Sequence, residues 1–229
     1  MLVAGRRGLL DLDTEVRSVV PRLSSARYTA RDLLEHHSGL LRVPWQMLVR
    51  PARDPYRRVR DRPLPERWTR PIGDRGAFVY SNTGYAVLGE VLDTVTGSWW
   101  SSVRDTVPGA GRSTSLTLEP GRAGRALLVG RSGVALEPWS LAEGPFASAG
   151  GAWSTFDDLT GFAQAATREE GCPPGWARDR GADLIIGATR DARAIIVRRI
   201  DDGRVAVVHS LGLGPATDAM AVELLRQED

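Results

Sequence analysis

The clearest periodicity lies in FVYSNTGYAVLGEVLDTVTG (78–97), where Tyr85, Leu88, Leu92 and Val95 fall at spacings of three, four and three. Those spacings put the four side chains on one buried helical face. Asn82 is the expected N-cap, and Gly97 stands where a glycine ends a helix. In YTARDLLEHHSGL (28–40), Thr29 followed three residues later by Asp32 predicts a capping box that opens a short helix through Leu33 and Leu34, closing by Gly39. SAGGAWSTFDDLTGFAQAATR (148–168) predicts a Gly-Gly turn, then a helix capped by Ser154 or Thr155 with Leu159, Phe162 and Ala163 on its apolar side. Ahead of these, GLLDLDTEVRSVVP (8–21) reads as the end of one helix followed by an extended segment that stops at Pro21.

The period shortens towards the C-terminus. RAIIVRRIDDGRVAVVHS (193–210) is two β-rich runs around Asp201-Asp202-Gly203, which predicts a hairpin, and PATDAMAVELLRQ (215–227) predicts a closing amphipathic helix. Between 105 and 150 the abundance of Gly, Pro, Ser and Thr predicts short strands and loops. With no internal repeat or low-complexity linker, residues 1–229 are expected to form one domain, helical over about 22–165, with a sheet hairpin and helix over about 183–227.

Composition narrows the chemistry. Hydrophobic residues make up 42% of the 229 residues, as in ordinary globular proteins, and no window approaches the apolar length of a membrane span. The N-terminal MLVAGRRGLLDLD puts two arginines where the apolar core of a signal peptide would lie, so no export signal is expected in these residues, and compartment stays open. The lone cysteine, Cys172, excludes an internal disulfide framework. Three histidines, two of them adjacent, argue against a metal site, and no cofactor is expected.

The formal charge is +2, yet all 30 basic residues are arginine, so any mechanism that needs a lysine amine is closed to these residues. Residues 50–75 hold nine arginines against Asp54, Asp61, Glu66 and Asp74. This stretch is read as a solvated, proline-punctuated excursion with internal ion pairs. Binding of nucleic acid is not expected, since neither a recognisable module nor an aromatic stacking platform accompanies the charge. No Gly-x-Ser-x-Gly elbow, phosphate loop or dinucleotide fingerprint is present.

Three segments, LLEHHSGL, YSNTGYAVLGEVLDTVTG and SAGGAWSTFDDLTGF, occur in an order and at spacings that resemble the serine β-lactamase-like family of class C β-lactamases, D-alanyl-D-alanine carboxypeptidases and related esterases. The resemblance spans nearly the whole chain. It implies an α/β fold of the β-lactamase/transpeptidase type, an antiparallel sheet flanked by helices with a mainly helical region. It also implies acyl-serine chemistry on a β-lactam, a D-alanyl peptide or an ester, so the expected partner is a small-molecule or peptide substrate. The family's Tyr-x-Asn motif falls on Tyr80 as the acid-base group and Asn82 as the substrate-orienting amide, with Ser81 a spectator. The match of LLEHHSGL makes His36 structural, and Ser154, Thr155 and Asp158 are read as capping and helix placement.

The resemblance also shows what is missing. The family's first motif, Ser-x-x-Lys, cannot occur in a lysine-free chain; MLVAGRRGLLDLD matches only the end of the helix that carries it. The serine would lie roughly ten residues before Met1, two or three helical turns away, so the chain is expected to lack that helix and the first strands of the sheet. Each large side chain left unburied by such a loss forfeits about 1.5 to 3 kcal/mol, which would leave a marginal fold.

Two placements compete for the third motif, Lys-Thr-Gly or His-x-Gly. One uses His209. The other aligns LIIGATRDARAIIV so that Gly187 matches the motif glycine and Ile185 stands where a cation or imidazole belongs, and it leaves the hairpin and closing helix in the expected order. Three functions follow: an acyl-serine hydrolase that is inactive over these residues, a non-catalytic binding protein that retains the cleft, and, on charge alone, anion or nucleic-acid binding through the arginine-rich stretch. Oligomeric state is open.

Overall fold

The computed structural model describes residues 1–48, 54–106, 115–121, 124–166, 172, 174–212 and 216–226. They fall into two compact units, residues 1–110 with 139–152, and residues 111–138 with 153–229.

The first unit is helical. It contains α1 (Leu2–Arg6), α2 (Val16–Val19), α3 (Ala30–Leu34), α4 (Trp45–Leu48), α5 (Asn82–Thr96) and α6 (Trp99–Thr106), with 3-10 turns at Glu66–Thr69, Ser140–Glu143 and Ala147–Ala149. Its core gathers Val16, Leu23, Tyr28, Leu33, Leu40, Leu64, Val87, Val91 and Phe146. The Val-rich run at 16–20 forms a helical turn rather than the expected extended segment, because a turn buries both Val16 and Val20 in that core. The predicted capping box is present in full: Thr29 Oγ1 accepts from the Asp32 amide at 3.1 Å, and Asp32 Oδ2 accepts from the Thr29 amide at 2.7 Å.

Helix α5 runs through the middle of this unit and is buried more widely than one stripe. Ala86, Val87, Leu88, Val91 and Leu92 are all buried, whereas Tyr85 and Val95 of the predicted face are only partly so. Its N-cap is Ser81, one residue earlier than expected: Ser81 Oγ accepts from the Gly84 amide at 2.9 Å and donates to the Leu41 carbonyl at 2.7 Å. Gly97 closes the helix in the left-handed conformation, φ +81°, as expected.

Among the described residues, the arginine-rich stretch makes one ion pair within itself, Arg60–Asp61 at 3.7 Å. Others reach out of it, Arg60 to Glu143 at 3.3 Å and Arg75 to Asp32 at 2.7 Å.

The second unit carries α7 (Phe156–Ala166), an antiparallel sheet and α8 (Ala216–Arg226). The strands are β1 (Ala177–Asp179), β2 (Ala182–Ala188), β3 (Ala192–Arg199) and β4 (Val205–Leu211), paired in chain order. The predicted hairpin joins β3 to β4 and the predicted C-terminal helix is α8. Helix α8 packs on β3 and β4, burying Ala221 and Leu225 against Ile195, Val197, Ala206 and Val208. Between 105 and 150 the described residues form no strand; the pairing there is confined to isolated bridges, Thr117–Trp153 and Val129–Ala135. Thr155 caps α7, its Oγ1 accepting from the Asp158 amide at 3.3 Å, while Asp158 Oδ2 accepts from the amide and hydroxyl of Ser115.

Candidate functional site

Tyr80 and Asn82 stand where a strap of chain meets the N-terminus of α5. Residues 72–79 run alongside 36–39 and are tied to them backbone to backbone. Ile72 and Gly73 amides donate to the Gly39 carbonyl at 3.0 Å, Gly76 to His37 at 2.8 Å, and Val79 to His36 at 2.8 Å. Gly39 has φ +72°, and a Cβ there would collide with the Gly73 carbonyl, so the approach requires glycine. His36 completes the tie: its Nδ1 accepts the Ser81 amide at 3.1 Å.

The sequence reading of LLEHHSGL as architecture agrees with this geometry, and His36 is a buried structural residue. Its ring stacks on Tyr85 at 5.0 Å and lies 4.7 Å, tilted, from Tyr80. Burial and, to a lesser extent, the neighbouring His37 push its pKa down to about 4. Because Nδ1 accepts a hydrogen bond, protonation there would break the tie to Ser81.

An unfolded histidine titrates near 6.5. Between that value and 4 the unfolded chain takes up a proton that folded His36 refuses, so this contribution to stability is full above about pH 6.5 and declines as pH falls towards 4. His36→Asn keeps an acceptor and tolerates the left-handed backbone that His36 adopts, φ +61°. The variant is expected to flatten the decline in melting temperature between pH 6.5 and 4; an unchanged slope would mean that His36 does not cause it.

Tyr80 is 42% exposed and its hydroxyl has no hydrogen-bond partner among the described residues. The Arg42 guanidinium lies over its ring, with Cζ 5.3 Å from the centroid. Asn82 is half-buried and its Nδ2 donates to the Tyr56 hydroxyl at 3.0 Å. Tyr56 is itself buried, packed edge-on to Phe146 at 5.3 Å and tilted against Trp139 at 5.6 Å. Burial raises the Tyr56 pKa; the hydrogen bond from Asn82 and the Arg42 charge act in the opposite direction.

Tyr56 and Arg42 escaped the sequence reading. Tyr56 is 26 positions from the amide it holds, inside a stretch distinguished only by arginine, and Arg42 is one arginine among many, marked only by following LLEHHSGLL directly.

In the second unit, Gly187 pairs with Ala194, which pairs with His209, so both alternatives for the third motif fall on one cross-strand row. Ile185 stands two residues from Gly187 on the same face of β2, opposite Ile196. That face is not the one covered by α8, which carries Ile195, Val197 and Val208. No group of three or more His, Cys, Asp or Glu among the described residues is placed to hold a metal ion. No helix among them is long and apolar enough to cross a membrane.

The helical unit and the antiparallel sheet with its packed helix are the architecture of a known family. The chain belongs to the β-lactamase family, whose model, described as Beta-lactamase, matches residues 2–219. Similar solved structures include a class C beta-lactamase mutant, 16% identical with a TM-score of 0.69, covering 97% of this chain and 77% of that one. FmtA from Staphylococcus aureus is 14% identical with a TM-score of 0.71, covering 95% and 66%. D-amino acid amidase from Ochrobactrum anthropi SV3 is 18% identical with a TM-score of 0.71, covering 97% and 80%. No curated protein matches the sequence. The fold is therefore the β-lactamase/transpeptidase-like α/β type.

Proposed function

We propose that the Tyr80–Asn82 corner is the acid-base and substrate-binding part of a β-lactamase-type acyl-serine site, and that these 229 residues by themselves bind acyl donors without being acylated. The observation that carries the reading is the pairing of an exposed, unengaged phenol with an amide oriented by buried Tyr56. In such a site the phenol relays the proton between nucleophile and leaving group, and the amide holds a carbonyl of the substrate. The ligand class is a β-lactam, a D-alanyl peptide, or a simple ester or amide. A relative in fold, the D-amino acid amidase, has been seen with L-phenylalanine amide, which favours acyl donors of that size.

The inactive half of the reading rests on charge. A phenol works as a base near neutral pH only beside a group that lowers its pKa and can exchange its proton. The sequence has no lysine for that role. An arginine guanidinium has no lone pair free to accept a proton, so Arg42 supplies a fixed charge and not a base. Ile185, where a third-motif cation would stand, packs but cannot donate a hydrogen bond.

The test is to incubate the protein with a fluorescent β-lactam and with a fluorophosphonate. No covalent label is expected; a stoichiometric serine adduct would sink the inactive reading. Binding is checked separately by thermal shift with a D-alanyl peptide, expected to raise the melting temperature of the wild type and not of Asn82→Ala.

A further inference from the structure

We infer that Arg42 makes the Tyr80–Asn82 corner a carboxylate-binding site, its guanidinium taking the carboxylate of a small acyl-donor peptide while Asn82 holds a neighbouring amide. The inference rests on the proposal that this corner binds ligand, and it adds the charge that the ligand carries.

Arg42 is pinned by its backbone. Its carbonyl accepts from the Asn82 amide at 2.9 Å and the Thr83 amide at 3.3 Å, so the residue forms part of the mouth of α5 and moves only with it. The guanidinium lies over the Tyr80 ring, which restrains it through cation–π attraction. No described acceptor takes the N–H groups of this guanidinium, which form the fork that matches a carboxylate with two parallel contacts.

The surroundings leave that charge uncompensated. None of the described carboxylates pairs with Arg42. By contrast Arg31 is paired with Asp13, Arg75 with Asp32 and Arg193 with Asp218. Asp54, the acid that acts on Tyr56 together with Arg42, is already engaged: Oδ1 accepts the Tyr56 amide at 2.9 Å, and Oδ2 accepts the amide and hydroxyl of Ser140 at 2.9 and 2.7 Å. The Arg42 charge is felt at the Tyr56 phenol, which holds the Asn82 amide, so cation and amide belong to one electrostatic neighbourhood. A solvated arginine needs no partner, but this one is held against the ring of the proposed acid-base residue, beside the amide donor.

The experiment is calorimetric titration of the 229-residue protein with N-acetyl-D-alanyl-D-alanine and with its methyl ester, in the wild type, Arg42→Gln and Arg42→Lys. The free acid is expected to bind roughly tenfold more tightly than the ester, the difference that a charged hydrogen bond supplies. Arg42→Gln retains the backbone carbonyl at the mouth of α5 and should abolish the preference while still binding the ester. Arg42→Lys, with charge but no fork, should keep only part of it. Equal binding of acid and ester by the wild type, or a preference unchanged in Arg42→Gln, would overturn the inference and leave the proposed function standing. Binding of neither compound by the wild type would overturn the binding reading and this inference with it.

Discussion

Gly39→Val is expected to destabilise the helical unit by on the order of 4 kcal/mol and to abolish the ligand binding proposed for Asn82. Three effects add. A β-branched residue is strained at φ +72°. Its Cβ would collide with the Gly73 carbonyl oxygen and crowd the Gly73 carbonyl carbon at 3.1 Å; both are backbone atoms that cannot rotate aside. Relieving the collision parts the strap from 36–39, and with it go the two hydrogen bonds on the Gly39 carbonyl and the neighbouring ones at His37 and His36.

The strap leads straight into Tyr80 and Ser81, so the damage reaches the site. Gly76→Ala is the matched control: Gly76 also has positive φ, +94°, but a Cβ there meets nothing within 4 Å. Backbone strain alone, about 1–2 kcal/mol, is expected for it. Urea denaturation compares the variants, and hydrogen exchange at the Val79 and Ser81 amides locates the loss. A Gly39→Val protein within about 1 kcal/mol of its Gly76→Ala counterpart would show that the strap does not depend on this close approach.

What the sequence disclosed of this region was local. The Thr29 capping box, the left-handed Gly97 and the hairpin at Gly203 are decided within a few residues, and pattern alone placed them. The choice between Ser81 and Asn82 as cap was not local. Both are good N-caps, and the Leu41 carbonyl and the His36 ring, reached across 40 and 45 positions, select Ser81. That selection places Asn82 in the first turn of α5, where its amide meets Tyr56. Ser81 is therefore the hinge pin of the corner and not a spectator. The VRSVV run misled for the same reason: β-branched residues favour extended chain, and packing of Val16 and Val20 into one core overrode the preference. Tyr56 and Arg42 left no local trace, since their importance lies in contacts that only the folded chain creates.

Asp183 is the other such residue, and Asp183→Asn is expected to weaken the second unit by about 3–5 kcal/mol. The strand register sets Arg178 of β1, Asp183 of β2 and Arg198 of β3 in one cross-strand row. Asp183 is fully buried and accepts from Arg178 Nε at 2.7 Å and from Arg198 Nη2 at 2.5 Å. Arg198 is 9% exposed, so removing the carboxylate charge takes an ion-pair partner from a guanidinium that water hardly reaches. Hydrogen bonding from Arg178, helped by Arg198 and the Cys172 thiol, outweighs burial and draws the Asp183 pKa down to about 2.

In the unfolded chain it titrates near 3.9. The stabilisation is therefore complete above that value and lost as pH falls from about 4 to 2, where the folded carboxylate also protonates. Asp201, also drawn down to about 2, titrates in the same window, and the Asp202 carboxyl is lowered as well, so the informative quantity is the difference in unfolding free energy between wild type and Asp183→Asn. That difference should be largest above pH 4 and shrink towards pH 2. The double variant Asp183→Leu/Arg198→Met removes both buried charges, and Arg178, half exposed, can return to water. It should be more stable than Asp183→Leu alone. If it is not, the row matters for packing rather than for charge.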